Sequence, residues 1–254
     1  MKYGRIQMGN YEQIFKRKSF HVFRNAGKLT EGDLRDLEAF IKTVKPLEDG
    51  IRTEIRIVPR NQTFCMCGAD CCILFYSEKK GNYLRNVGYM GQQIDLYCSS
   101  VNIGSLWYGI GRVKTTKIGD LEYVIMIAVG RMPEDSFRND PSKAKRKDLD
   151  EIWSGDKLNI AQTVRLTPSA VNSQPWFVEN TGKELKVYRV WPKSRGIMPA
   201  GKVNYFNRID IGIFLFILET CLEHEGIKTE RTLSDDVSDE KPEKVPVAEY
   251  RFKL

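Results

Sequence analysis

The 254-residue chain carries a formal net charge of +7, is 41% hydrophobic, and has 11 tyrosines and 12 phenylalanines, enough apolar material for a buried core. No apolar signal-peptide core opens it, and its longest apolar run, residues 209–222, is interrupted by Asp210 and Glu219 and is too short to span a bilayer. A globular, soluble, cytoplasmic protein of one large domain or two small ones is expected, with no membrane partner.

In chain order, Tyr11, Ile14 and Phe15 mark a short helix over 11–17 that runs into Lys16-Arg17-Lys18 and Ser19. Thr30, with Asp33 three residues on, reads as an N-cap. It opens a helix through Leu34, Leu37, Phe40, Ile41 and Val44 that Pro46 stops. Residues 53–58 alternate as a strand, and 72–77 form a more buried one. Four of the six cysteines crowd into Cys65-Met-Cys67-Gly-Ala-Asp-Cys71-Cys72. This C-x-C-x3-C-C spacing matches neither paired C-x2-C zinc sites nor the ferredoxin pattern, so reduced thiols and no metal site are expected.

A long helix over about 83–103, with Ile94, Tyr97, Cys98 and Val101 on one face, gives way to Gly104 and a loop over 105–111. Residues 122–129 are an unbroken apolar strand suited to a sheet centre. The charged connector 131–147 ends in a second basic cluster, Lys143-Ala-Lys-Arg-Lys147. A phosphate-bearing small molecule accounts for both clusters as well as nucleic acid does. Without an aromatic-interleaved basic stripe, zinc finger or helix-turn-helix signal, no nucleic-acid partner is expected.

Two short helices, about 148–154 and 157–166, precede Arg165-Leu-Thr-Pro-Ser-Ala-Val-Asn-Ser-Gln-Pro-Trp176. Its prolines, hydroxyls and amides forbid regular structure throughout; it reads either as a loop presenting polar groups or as an ordinary surface connection. Strands 176–180 and 184–190 make a hairpin around Thr181-Gly182. The helix 209–225 is apolar nearly all round and therefore central, and Gly226 ends it. Residues 234–246 read as a solvated acidic loop and 247–254 as a closing edge strand. The order helix, strand, long central helix, strand occurs within 30–130 and again within 157–254. Two such halves are expected to pack about a pseudo-two-fold axis, as a homodimer fused into one chain would.

Arg17-Lys-Ser-Phe-His-Val-Phe23 after the first helix, together with Thr167-Pro-Ser-Ala-Val-Asn-Ser-Gln-Pro-Trp176, resembles the nitroreductase family of FMN enzymes. That family carries Arg-Arg-Ser-x-Arg-x-Phe and Ala-Pro-Ser-x-x-Asn-x-Gln-Pro-Trp. The stretches from Gln93 to Gly109 and from Asn207 to Gly212 are also similar to it, so the resemblance spans roughly Tyr11 to Gly226. It implies an α+β, nitroreductase-like fold, with long central helices and mixed or antiparallel sheets. The two motifs lie in opposite halves, 1–147 and 148–254, like the family's subgroup in which duplicated halves mimic a dimer. One compact composite domain with one flavin between its halves is therefore expected, monomeric as a pseudo-dimer, with a homo-oligomer left open.

By this resemblance Arg17, Lys18 and Ser19 belong to the phosphate and ribityl grip, and a guanidinium suits a phosphate bidentately. Arg146, with Lys145 as second candidate, stands where the family places another phosphate contact. Pro168, Ser169, Ala170 and Asn172 would line the isoalloxazine ring. Trp107, Tyr108 and Gly109 lie in the segment whose backbone reaches flavin N5, although both aromatics read equally well as core. His21 replaces the Arg or Lys usual near the N1/O2 edge, which implies a flavin harder to reduce or one whose reduction depends on pH.

The implied reaction is ping-pong hydride transfer from NAD(P)H through FMN to a nitroaromatic, quinone or similar small aromatic acceptor, with no catalytic side chain of the protein's own. The alternative is a flavin-binding or flavin-sequestering protein without turnover.

Overall fold

The computed structural model describes residues 9–24, 26–194, 196–235 and 243–253. Most of the acidic stretch expected as a loop therefore lies outside the described residues. The N-terminal helix α1 (Asn10–Lys16) is followed by α2 (Glu31–Ile41), which opens on the capping box read from the sequence. The Asp33 amide donates to Thr30 Oγ1 at 3.1 Å, and the Thr30 amide donates to Asp33 Oδ2 at 2.9 Å, so two orphan helix-end donors are satisfied at once.

The first sheet contains β1 (Thr53–Pro59), β2 (Cys71–Ser77), β3 (Ile103–Trp107), β4 (Lys117–Ile118) and β5 (Leu121–Arg131). Its order is β1-β2-β5-β3, with β4 also on β5, and every pairing is antiparallel. The long helix α3 (Tyr83–Ser100) lies between β2 and β3 in sequence.

The second half runs α4 (Leu149–Ile152), β6 (Trp153–Ser154), α5 (Ala161–Val164), β7 (Trp176–Asn180), β8 (Glu184–Val190), α6 (Val203–His224), β9 (Thr229–Leu233) and β10 (Lys244–Phe252). Its sheet has the order β6-β7-β8-β10-β9, with β6 parallel to β7 and the other pairs antiparallel. The fold is thus α+β with mixed and antiparallel sheets, as expected.

Several boundaries differ from the sequence reading. Helix α3 ends at Ser100 because Asn102 turns the chain at φ 58°, a left-handed stop that Asn tolerates better than most residues. Residues 103–107, expected as helix end and loop, are instead a strand because they pair with the far end of β5. The helix expected over 148–154 stops at Ile152, since Trp153 and Ser154 join β7, and only Ala161–Val164 of the next is α-helical. Helix α6 begins at Val203 rather than at Ile209. The closing strand β10 is interior, between β8 and β9, and the polar Thr229–Leu233 supplies the edge instead.

The long helices α3 and α6 pack against each other at the centre of the fold. Glycine makes the crossing possible: a Cβ built on Gly88 would lie 2.0 Å from the Ile209 carbonyl oxygen, and one on Gly212 would lie 1.9 Å from that of Arg85. No side chain larger than hydrogen fits either place. Three apolar clusters surround this axis. One fills the second half around Trp176 and Phe214, whose rings stack at 4.9 Å, and the other two cover opposite faces of the first sheet. Ile14 of α1 belongs to the second-half cluster, whereas Phe20 and Phe23 belong to the first sheet, so the N-terminal segment crosses from one half to the other.

Candidate active site

The segment after α1 is fixed by β3. Ser19 forms a parallel bridge with Ser105, and the Phe20 amide donates to the Ser105 carbonyl at 3.0 Å. Arg17 is only 2% exposed, and its Nε lies 2.8 Å from Oδ2 of the fully buried Asp95 of α3. Asp95 also accepts from Ser105 Oγ and from Gln92 Nε2 at 3.0 Å. An isolated charge could not be left so deep, so this pair and its neutral donors hold one another in place. Arg17 Nη2 in turn donates to Ser19 Oγ at 3.0 Å.

Two further arginines share this neighbourhood. Burial, then the nearby Arg17 charge, pushes Arg138 down to about 10; burial and then Arg17, Arg138 and Arg165 do the same to Arg146. Arg146 donates from Nη1 to the Asn172 side-chain oxygen at 3.1 Å and from Nη2 to the Leu166 carbonyl at 3.0 Å. Arg138 Nη1 and Arg146 Nε are buried without a hydrogen-bond partner among the described residues. Among the described residues Asp95 is the carboxylate set against these guanidiniums, so positive charge is left uncompensated in a poorly solvated place. That arrangement calls for an anion. The lysines contribute less: Lys18 is exposed and donates to the Ser136 carbonyl at 3.0 Å, and Lys145 is exposed while its carbonyl accepts from Arg146 and Asn172.

The loop from Thr167 to Gln174 takes an uncommon backbone path. Val171, Asn172 and Gln174 have φ of 46°, 56° and 47°, a left-handed region that a β-branched valine rarely enters. Its polar groups mostly serve the loop itself. Ser169 Oγ accepts from the Gln174 amide at 2.9 Å, Gln174 Oε1 accepts from the Lys147 amide at 2.9 Å, and the Ala170 amide donates to Asp210 Oδ1 at 2.9 Å. Strain of this kind persists only where surroundings over-determine it, and here they do.

These segments meet in a cleft enclosing about 550 Å³ of empty space, mouth included. Ser19 and His21 line one side, Leu106, Trp107 and Gly109 another, and Pro168 to Val171 a third. Its floor is apolar, from Ile125, Phe206, Ile209 and Ile213. Trp107 serves both readings offered for it, packing on Phe75 with ring centroids 6.2 Å apart while facing the cleft. The Tyr108 side chain belongs with the core, its hydroxyl accepting from the Met66 amide at 3.3 Å. Asn172 is exposed and is joined to the site through Arg146.

Asp210 also borders the cleft. It is 3% exposed, and its Oδ2 has no hydrogen-bond partner among the described residues. Burial pushes its carboxyl up to about 8, against the opposing pull of the Ala170 amide and Ser173. Arg138, Asp95 and Asp210 were not singled out as site residues from the sequence. Asp210 had a signal, a carboxylate set at the start of an apolar helical run, whereas Arg138 sits in a charged connector with nothing local to distinguish it.

Among the described residues, no group of three or more His, Cys, Asp or Glu is placed to hold a metal ion, and no helix is long and apolar enough to cross a membrane. A search of curated proteins finds no match. A solved structure from Thermotoga maritima, titled a "putative nitroreductase", aligns over 96% of this chain and 94% of its own with a TM-score of 0.63 and 21% identity. A "Putative NADH dehydrogenase/NAD(P)H nitroreductase" from Bacteroides thetaiotaomicron aligns over 58% of this chain and 98% of its own, with a TM-score of 0.44 and 13% identity. The family model described as "Putative TM nitroreductase" matches residues 10–221, most of the chain. The chain therefore belongs to that nitroreductase family, a group of oxidoreductase type.

Proposed function

We propose that the chain is an FMN-dependent oxidoreductase that uses NAD(P)H to reduce a nitroaromatic, quinone or similar conjugated acceptor. The observation that carries this reading is the juxtaposition of an anion-seeking arginine cluster with an apolar cleft, built from both halves of the chain. The residues present fit the cofactor. A phosphate monoester carries about −1.5 to −2 at neutral pH, opposite in sign to the charge that Arg17, Arg138 and Arg146 leave over after Asp95. The cleft's Leu106, Trp107, Phe206 and Ile213 walls suit a flat conjugated ring.

Bound FMN would supply the two-electron chemistry, taking hydride from a reduced nicotinamide and passing it to the acceptor in alternating, ping-pong half-reactions. The chain's own residues bind, orient and exclude water. Arg138 and Arg146 take the phosphate, with Arg17 held ready by Asp95 and Ser19. The Pro168 to Val171 segment closes one face of the cleft in a shape fixed by Asp210 and Gln174. His21 stands at the cleft's edge as a ring N–H donor, and Asp210 keeps a proton on its carboxyl near neutral pH and offers it toward the cleft.

The two halves are, in this reading, counterparts of two subunits, each contributing one part of a single flavin site. The contacts of the central helices support it. Gly88 meets Ile209 and Gly212 meets Arg85, and both Gly88 to Gly212 and Arg85 to Ile209 are steps of 124 residues. Such reciprocity is what an isologous two-fold contact produces.

The test is the visible spectrum of the protein after reconstitution with FMN. A yellow protein that bleaches anaerobically with NADH or NADPH and recolours with a quinone supports turnover. A yellow protein that no nicotinamide bleaches leaves only a carrier, and a colourless protein that takes up no FMN refutes the reading.

A further inference from the structure

The cysteine-rich loop before β2 has no part in the cleft. Cys65 and Cys67 are both buried, and their sulfurs lie 3.2 Å apart. Thiol donors from Cys67 and Cys72 hold Cys65 well below the usual thiol range, the nearby Arg60 adding to the effect, while the same contact and burial push Cys67 up. The pair is thus asymmetric: one sulfur is kept as thiolate and the other as thiol. Between them Met66 is 83% exposed, and Phe64 beside them is 56% exposed, so the loop that carries the two sulfurs lies at the protein surface.

We propose that Cys65 and Cys67 form a hydroperoxide-reactive dithiol that closes reversibly to an intrachain disulfide. The Cys65 thiolate attacks one peroxide oxygen and the O–O bond breaks, leaving a sulfenic acid on Cys65 and releasing hydroxide. The Cys67 sulfur then bonds to Cys65 Sγ and the S–O bond breaks. The departing oxygen takes the Cys67 proton and leaves as water. Two thiols lose two electrons, and the peroxide is reduced to water. A small thiol reductant reverses the change by thiol–disulfide exchange.

Cys67 rather than Cys72 is the resolving sulfur. Cys72 is locked in β2, paired with Val58 on one side and Ala128 on the other, and its Sγ lies 3.5 Å from Thr63 Oγ1. Cys67 sits in the loop, followed by Gly68 at φ 80°. The same loop is tied to the cleft's surroundings, since the Met66 amide donates to Tyr108 and the Phe23 amide donates to the Cys67 carbonyl at 2.9 Å.

The test treats the fully reduced chain with a few equivalents of hydrogen peroxide, blocks the remaining thiols by alkylation, and maps peptides without reduction. The expected result is a Cys65–Cys67 disulfide as the main product, removed by dithiothreitol, with Cys71, Cys98 and Cys221 still alkylated. In Cys67→Ala the sulfenic acid persists on Cys65 and is trapped by dimedone. All six thiols remaining free, or Cys65 paired mainly with Cys72, overturns the proposal; because mapping is done on the unaltered chain, neither result depends on a variant folding.

Discussion

Gly88 of α3 and Gly212 of α6 press against the backbone of each other's helix, 2.0 Å and 1.9 Å from a carbonyl oxygen if either carried a Cβ. This crossing sets how far apart the two halves stand. It therefore also sets the width of the cleft that α6 floors through Ile209, Asp210 and Ile213.

Replacing either glycine with alanine forces the helices apart. Overpacking of a tight core costs about 1–3 kcal/mol, and a backbone that cannot yield places these two at the upper end or beyond. Gly212→Ala and Gly88→Ala should each lower the urea midpoint substantially without changing the denaturant slope. A midpoint within error of the parent for both variants would show that the crossing is looser than described.

Asp210 gives a pH dependence with a definite sign. Its carboxyl is raised from 3.8 to about 8 by burial, so the folded chain keeps a proton that the unfolded chain releases near pH 4. Stability contributed by this group is full below pH 4 and is lost as pH climbs toward 8. Asp210→Asn removes that loss while keeping an oxygen for the Ala170 amide. Its stability relative to the parent should rise between pH 5 and 8, measured by urea denaturation at each pH; a parallel pair of pH profiles would contradict the assignment.

Arg138 and Arg146 are half-buried like charges, each with a buried nitrogen that has no hydrogen-bond partner among the described residues, so each costs stability in the absence of an anion. Arg138→Gln is expected to leave thermal stability unchanged or raised without ligand. It should also weaken FMN binding about tenfold or more, since a charged hydrogen bond contributes about 1.5–3 kcal/mol. Fluorescence titration with FMN reads the affinity directly. Equal binding of riboflavin and FMN by the parent would remove the phosphate from the account.

His21 faces the cleft where a fixed cation would stabilise the reduced, anionic flavin. His21→Arg should raise the midpoint potential of bound FMN, because a guanidinium stays charged at every working pH. Spectroelectrochemical titration at pH 6 and pH 8 measures it. A potential unchanged by the substitution at both values would place His21 away from the ring.

Much of this architecture was readable from local pattern. Thr30 and Asp33 announced the start of α2, Thr181-Gly182 the β7–β8 turn, and the apolar run after Ile209 a central helix. The edge strand was not, because Thr229–Leu233 carries polar residues at most positions and becomes a strand only by pairing with β10. The site divided in the same way. Arg17, Ser19, Pro168 and Ala170 stood in motifs, and the described fold brings them to one place. Arg138 and Asp95 acquire meaning only from what surrounds Arg17 in space, and no spacing in the sequence encodes that.

The most direct measurement is an equilibrium titration of FMN into the apoprotein, parent and variants alike, reading both stoichiometry and affinity. A single flavin per chain is predicted, weakened both by Arg138→Gln in the first half and by Asn172→Ala in the second, where the lost amide frees Arg146. Two flavins per chain, or an affinity that responds to only one of these substitutions, would contradict a single site assembled from both halves.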